Sequence, residues 1–330
     1  MLKQSVGSAI FALALISSLA FSAPTSALSF STKDDILSIF RDGKNLGQFS
    51  NVVVSNAAMS SSVEKSTTGE PLIKIVTDGS RDKYDITIPI IEREGVPFTD
   101  CAYKSVFDSN DGNRSVGVSC SLAPLRQFDP EATVNEEHLL KYRTGLDWLR
   151  NVVAKDCAAP QGIEYGSYRI ALCAKQAYPD PAQETTIVFN EKAQKLFSVR
   201  GYELIPGGIS RGEFAFVGAS GESTTLYVSS LDCMLSPIPS EKASSKTGTI
   251  GKYRIRYSAQ KFGDCAYGSY AYENKASEIR LFGSASKDTV HLLEMTGNKD
   301  VTGLFDLDPN IEHFNGNWIS VPPGKLFLVK

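Results

Sequence analysis

Short β-branched runs separated by turn residues recur along most of this chain. Short β-branched runs at residues 51–54, 72–76, 84–88 and 115–118 are separated by turn-forming stretches, among them Asp78-Gly79 and Asn110-Asp111-Gly112-Asn113. Such runs between turns read residues 49–125 as strands and turns. The pattern returns further on. Residues 185–189 and 195–199, then 214–217 and 224–228, then 270–272 and 278–282, read as hairpins, and 318–321 with 326–329 flank Pro322-Pro323-Gly324 as a last strand pair. Short strands with frequent turns favour sandwiches or small barrels over a parallel sheet.

Two segments depart from this pattern. Near the start, Ser31 and Thr32 precede Asp34-Asp35 and the apolar Ile36, Leu37, Ile39 and Phe40, with Gly43 beyond. A cap, first-turn acids and a glycine stop predict a short amphipathic helix. At residues 133–155, Thr133-Val134-Asn135-Glu136 matches a capping box, and Leu139, Tyr142, Leu146, Leu149 and Val153 follow at 3-4-3-4 spacing. This predicts one long helix with a single apolar stripe, packed on a sheet. The predicted fold is therefore mainly β, built of antiparallel sandwich- or barrel-like modules with one long amphipathic helix and a short N-terminal one.

The first residues carry an address. Lys3 is the only charge before Lys33, the run 9–16 is apolar, and small residues surround candidate cleavage points after Ala27 or after Ser22. A positive start, a short apolar core and a small-residue site predict a signal peptide over 1–27. The expected location is periplasmic or extracellular, with no membrane span in the mature chain. That context changes the meaning of six cysteines, Cys101, Cys120, Cys157, Cys173, Cys233 and Cys265. An even count in an exported chain reads as disulfides, and sequence neighbours suggest Cys101–Cys120, Cys157–Cys173 and Cys233–Cys265 among the fifteen connectivities open to six cysteines. No C-x-x-C is present and no histidine lies at ligand spacing from a cysteine, so no metal and no other cofactor is expected.

Length and similarity then suggest the organisation. Tyrosines in Asp82-Lys83-Tyr84-Asp85-Ile86, Gly166-Ser167-Tyr168-Arg169-Ile170 and Gly251-Lys252-Tyr253-Arg254-Ile255 recur evenly, and Asp-Cys-Ala-Tyr-x-Ser occurs at both Asp100 and Asp264. A fixed period suggests related β modules. We expect a first module at 28–128 with the N-terminal helix, the long helix plus a second module at 129–210, and a third module at 211–330. The formal charge of −3 on 330 residues shows no basic footprint for nucleic acid.

Candidate chemistry is sparse. Gly218-Ala219-Ser220-Gly221 misses the nucleophile-elbow spacing and sits between strands, so it reads as a hairpin loop. His138, His291 and His313 are scattered, and Asp306, Asp308, Glu312 and His313 suit an acidic turn. The richest segment runs from Lys252 to Tyr272. Lys252, Arg254 and Arg256 alternate with Tyr253, Ile255 and Tyr257, and Tyr267, Tyr270 and Tyr272 follow. On a strand this puts a basic row on one face and an apolar row on the other. Lys252, Arg254, Arg256, Tyr267, Tyr270 and Tyr272 are thus the candidate binding residues for an anionic glycan or partner protein, through charge and stacking. The function class expected is a non-catalytic exported binding or accessory protein. The alternative is a periplasmic or secreted hydrolase without a recognisable motif.

Overall fold

A computed structural model describes residues 28–77, 81–134, 139–151, 157, 159–174, 184–207, 213–220, 223–235 and 244–330. The expected signal peptide, 1–27, and His138 lie outside the described residues. The described chain is mostly β. Strands β1 (Ser29–Lys33), β2 (Ile36–Arg41) and β3 (Lys44–Phe49) form a three-stranded antiparallel sheet. Strands β4 (Met59–Ser66), β5 (Pro71–Thr77), β6 (Asp82–Arg93), β7 (Val96–Asp108) and β8 (Asn113–Pro124) then meander. A short helix α1 (Pro130–Val134) leads to the two-residue β9 (Leu140–Lys141) on the edge of β8. Strands β10 (Ala159–Tyr165), β11 (Tyr168–Ala174), β12 (Thr185–Asn190) and β13 (Lys195–Arg200) make a separate four-stranded sheet.

The chain next returns to its first meander. Strands β14 (Glu203–Pro206), β15 (Glu213–Ser220) and β16 (Ser223–Ser230) add to it, with β16 parallel to β4, giving the order β14-β15-β16-β4-β5-β6-β7-β8-β9. This sheet rolls until β14 packs on β7 and β8. After helix α2 (Asp232–Leu235), strands β17 (Lys246–Ile250), β18 (Tyr253–Phe262), β19 (Cys265–Tyr272), β20 (Ile279–Ala285), β21 (Val290–Met295), β22 (Val301–Leu307), β23 (Gly316–Ser320) and β24 (Leu326–Val329) form a closed antiparallel barrel, β24 meeting β17 at Val329 and Ile250. The nine-stranded sheet thus takes strands from both before and after the four-stranded one in the chain. The tyrosines 84, 168 and 253 lie at or near the starts of β6, β11 and β18.

Both helix expectations are corrected. At 31–43 the acids do not cap a helix: Asp34 and Asp35 have φ of 51° and 61°, and Asp42 and Gly43 have 51° and 76°. Paired positive φ values make two-residue hairpin turns. Leu37 and Ile39 are both 0% exposed, in a core shared with Ile73, Ile75, Ile86 and Ile88. Burying each such side chain contributes about 1.5–3 kcal/mol, more than the helical preference of this short segment. The long helix at 133–155 is also not seen. Gly145 has φ +77°, which a right-handed helix does not admit. Tyr142 is instead fully buried beside the Arg143–Gly162 bridge, and Asp147–Asn151 is a short 3-10 turn that buries Trp148 and Leu149. The 3-4 spacing survives only as intermittent burial.

Three disulfides pair the sequence neighbours. Cys101–Cys120 crosses β7 and β8, Cys157–Cys173 ties the segment before β10 to β11, and Cys233–Cys265 ties α2 to β19. The last one joins the barrel to the rest of the protein. Its outer face also contributes Tyr267, Phe282, Leu293, Leu304 and Ile319 to a large core with the four-stranded sheet and β14–β16. Three disulfides fit an exported protein held in an oxidising compartment. Among the described residues no helix is long and apolar enough to cross a membrane.

Candidate functional site at the barrel mouth

Period two in β18 sorts the barrel wall. Ile255, Tyr257 and Ala259 point into the apolar interior, while Arg254 and Arg256 are exposed outside. One end of the barrel is stoppered by Ile311 and Phe314, with Phe314 stacked on Tyr257 at 4.5 Å between ring centroids. At the other end the β17–β18 turn and the segment after β19 rise as two rims. Gly251 makes the first rim possible: its φ is +56°, and a Cβ there would meet Phe327 at 3.1 Å.

Between the rims lies a hollow of about 510 Å³ lined by Lys252, Tyr253, Arg254, Tyr272, Glu273, Asn274 and Lys275. Tyr253 is 48% exposed and meets Tyr272 edge-on, with centroids 6.0 Å apart. The Lys252 ammonium stands 5.5 Å over the Tyr253 ring. The Arg254 guanidinium lies 3.9 Å from the Glu273 carboxylate, a loose exposed pair that leaves most of its donors available. The second rim is fixed by its backbone, since Glu273 N–H donates to the Arg254 carbonyl at 3.1 Å and Lys275 N–H to the Tyr272 carbonyl at 2.9 Å.

Beneath Tyr272, behind Tyr270, lies a buried carboxylate. Glu294, 6% exposed, accepts hydrogen bonds from the Tyr270 hydroxyl at 2.8 Å, the Thr302 hydroxyl at 2.6 Å and Trp318 Nε1 at 2.6 Å. Burial and the negative charge of Glu294 hold the Tyr270 hydroxyl well above its usual range. Gly303 makes room for this arrangement, because a Cβ there would come within 2.2 Å of Trp318 Nε1. Tyr270 packs edge-on to Tyr272, and Trp318 stacks on Phe327. The mouth therefore stands on a rigid aromatic base.

The structure brings Lys252, Arg254 and Tyr272 to this hollow and sets Arg256 one step along the same outer face. It does not bring Tyr267 or Tyr270. Tyr267 is 4% exposed and donates to the Cys233 carbonyl at 2.7 Å, while Tyr270 is 1% exposed over Glu294. Sequence crowding of tyrosines gave no clue to which face each would take. Asn274, Lys275, Glu294 and Trp318 were not nominated by sequence. For Glu294 a signal existed, since Val290, Leu292 and Glu294 share one face of a period-two strand.

A second polar group sits where the barrel meets β16. His291 Nε2 is 3.3 Å from Asp306 Oδ1, and His291 Nδ1 faces the Val228 carbonyl. Thr289 also donates to Asp306 at 3.0 Å. Burial opposes the imidazolium, but the Asp306 hydrogen bond and charge, with the Val228 carbonyl, outweigh it and raise the histidine. Burial likewise opposes the Asp306 carboxylate, yet His291 and Thr289 hold it below its usual range. Both imidazole nitrogens face acceptors, so the ring offers no lone pair to a substrate proton. It works as a clamp between sheet and barrel. Asp306 is thereby taken away from exposed His313, and the described residues contain no group of three or more His, Cys, Asp and Glu able to hold a metal. Comparison with known proteins finds no family model, no characterised protein and no solved structure that matches this chain.

Proposed function

We propose that this is an exported, disulfide-stapled binding or accessory protein without catalytic activity, engaging an envelope or extracellular polymer or partner through the barrel mouth. One observation carries the reading: three cations and two tyrosines converge on the hollow of about 510 Å³, within the size range of small-ligand sites. Lys252 and Arg254 continue outward through Arg256 and the exposed Arg280 on β20, giving a longer acidic chain further points of contact. The signal-like N-terminus and the disulfides support a periplasmic or extracellular site of action. For a hydrolase reading, His291 is one candidate base, and its two occupied nitrogens argue against that role for it.

The test is capture from the native secretome or envelope by crosslinking and pull-down. Replacing Lys252, Arg254 and Arg256 together with serine should reduce capture and flatten its salt dependence. Equal capture by that variant at every salt concentration would remove the barrel mouth from the account.

A further inference from the structure

We infer that the ligand unit held at the barrel mouth is an acidic sugar, carboxylated or sulfated, whose ring lies against Tyr253 while its anion meets Lys252, Arg254 and Lys275. The inference rests on the reading of the mouth as the binding surface and names what occupies it. Three features select this chemistry. The hollow is lined by seven residues and measures about 510 Å³, whereas a folded partner typically covers about 20–30 residues a side. A half-exposed tyrosine stands among the cations, with Lys252 over its ring and Tyr272 edge-on to it, so the part of the ring left open is an apolar surface next to positive charge. A pyranose offers the matching pair, an apolar C–H face and a ring-borne anion. An acidic peptide would use the charges and leave the ring idle.

The opposite end of the barrel supplies a contrast. A hollow of about 540 Å³ there also has two lysines. Lys246 is tied to Glu312 at 3.2 Å, Lys261 donates to the Ser286 carbonyl at 3.3 Å, and Tyr257 is buried against Phe314. That end offers neither a free plane nor an uncommitted cation. At the mouth, the single acidic residue of the lining, Glu273, holds Arg254 only loosely.

Calorimetry on the mature oxidised protein tests this with four probes: trigalacturonic acid, a sulfated galactose disaccharide, neutral galactotriose and hexaglutamate. At least one acidic sugar should bind about tenfold or more tightly than the neutral one, the loss expected when charge-assisted contacts are removed. The first two probes separate carboxylate from sulfate. Tyr253→Ala, at an exposed site, should weaken the acidic sugar about tenfold, a loss of roughly the size expected for one aromatic contact. Arg254→Gln with Lys275→Gln should weaken it and lower its salt dependence. Hexaglutamate binding as tightly as the sugars, or sugar binding unchanged by Tyr253→Ala, would overturn the inference. So would failure of both acidic sugars to bind while capture from the secretome still depends on Lys252, Arg254 and Arg256; in that case the mouth remains a binding surface for another partner.

Discussion

Glutamine at position 203 should change how stability depends on pH. Glu203, the first residue of β14, is buried where β14 rolls onto β7 and β8. Arg114 Nε lies 2.9 Å from its Oε1, Ser105 donates to the same oxygen at 3.0 Å, and Arg114 also holds Glu184 at 2.8 Å. One buried guanidinium therefore serves two carboxylates. Burial first, and the charge of Glu184, push the Glu203 carboxyl up to about 7 against the pull of Arg114 and Ser105. The folded state then holds a proton that the unfolded chain releases near 4.5. Stability from this site is complete below pH 4.5 and is lost as pH rises through about 7. At 1.36 kcal/mol per pH unit the loss is about 3 kcal/mol. Glu203→Gln keeps an acceptor for Arg114 and Ser105 but cannot titrate. Urea unfolding at pH 4.5, 5.5, 6.5 and 7.5 should show the wild type losing up to about 3 kcal/mol relative to the variant as pH rises. Parallel stability curves for the two proteins would refute the reasoning.

Other perturbations follow from the same structure. Replacing Cys233 and Cys265 with serine opens a link spanning 32 residues and should cost about 3–4 kcal/mol by loop entropy, read as a lower urea midpoint in which barrel and sheet transitions separate. Glu294→Ala leaves the Tyr270, Thr302 and Trp318 donors without their acceptor and should cost about 3–5 kcal/mol, while Glu294→Gln should cost less; Trp318 fluorescence can follow both. His291→Gln removes the clamp on Asp306. Because His291 is raised, its contribution is complete below its unfolded pKa and fades as pH rises through the folded value; Asp306, being lowered, limits it only in acid. The variant should thus lose about 1.5–3 kcal/mol at pH 6, the worth of a hydrogen bond between charged groups, and less at pH 9; an equal loss at both would contradict the clamp.

Much of the architecture was legible because strands carry their pattern locally. The runs at 72–76, 84–88, 185–189, 214–217 and 278–282 are short, β-branched or aromatic and bounded by turn residues, and each lies in a strand to within a residue. The disulfides were legible for a related reason: cysteines close in sequence lie on adjacent strands or at their ends. The failures share a cause. Ile36 to Phe40 and Leu139 to Val153 can be laid on a helix, and only the left-handed backbone at Asp34, Asp35 and Gly145 together with distant strands decides otherwise. No local pattern shows that Ser223 and Thr224 will pair with Lys65 and Ser66 to complete a sheet interrupted by another. At the site, alternation placed Arg254 and Arg256 on the outer face. It did not distinguish Tyr272 at the mouth from Tyr270 beneath it, because both face inward and differ only in depth. Glu294 was visible as a charge on an apolar face, but its partners come from β19, β22 and β23.

The central claim is that the barrel mouth is the surface through which this protein binds. A photoreactive phenylalanine analogue at position 253, compared with one at exposed Val96 in β7, tests it directly in the native envelope or secretome. The account predicts adducts from position 253 that disappear when Lys252, Arg254 and Arg256 are also replaced with serine. Adducts from position 96 with none from 253 would contradict it.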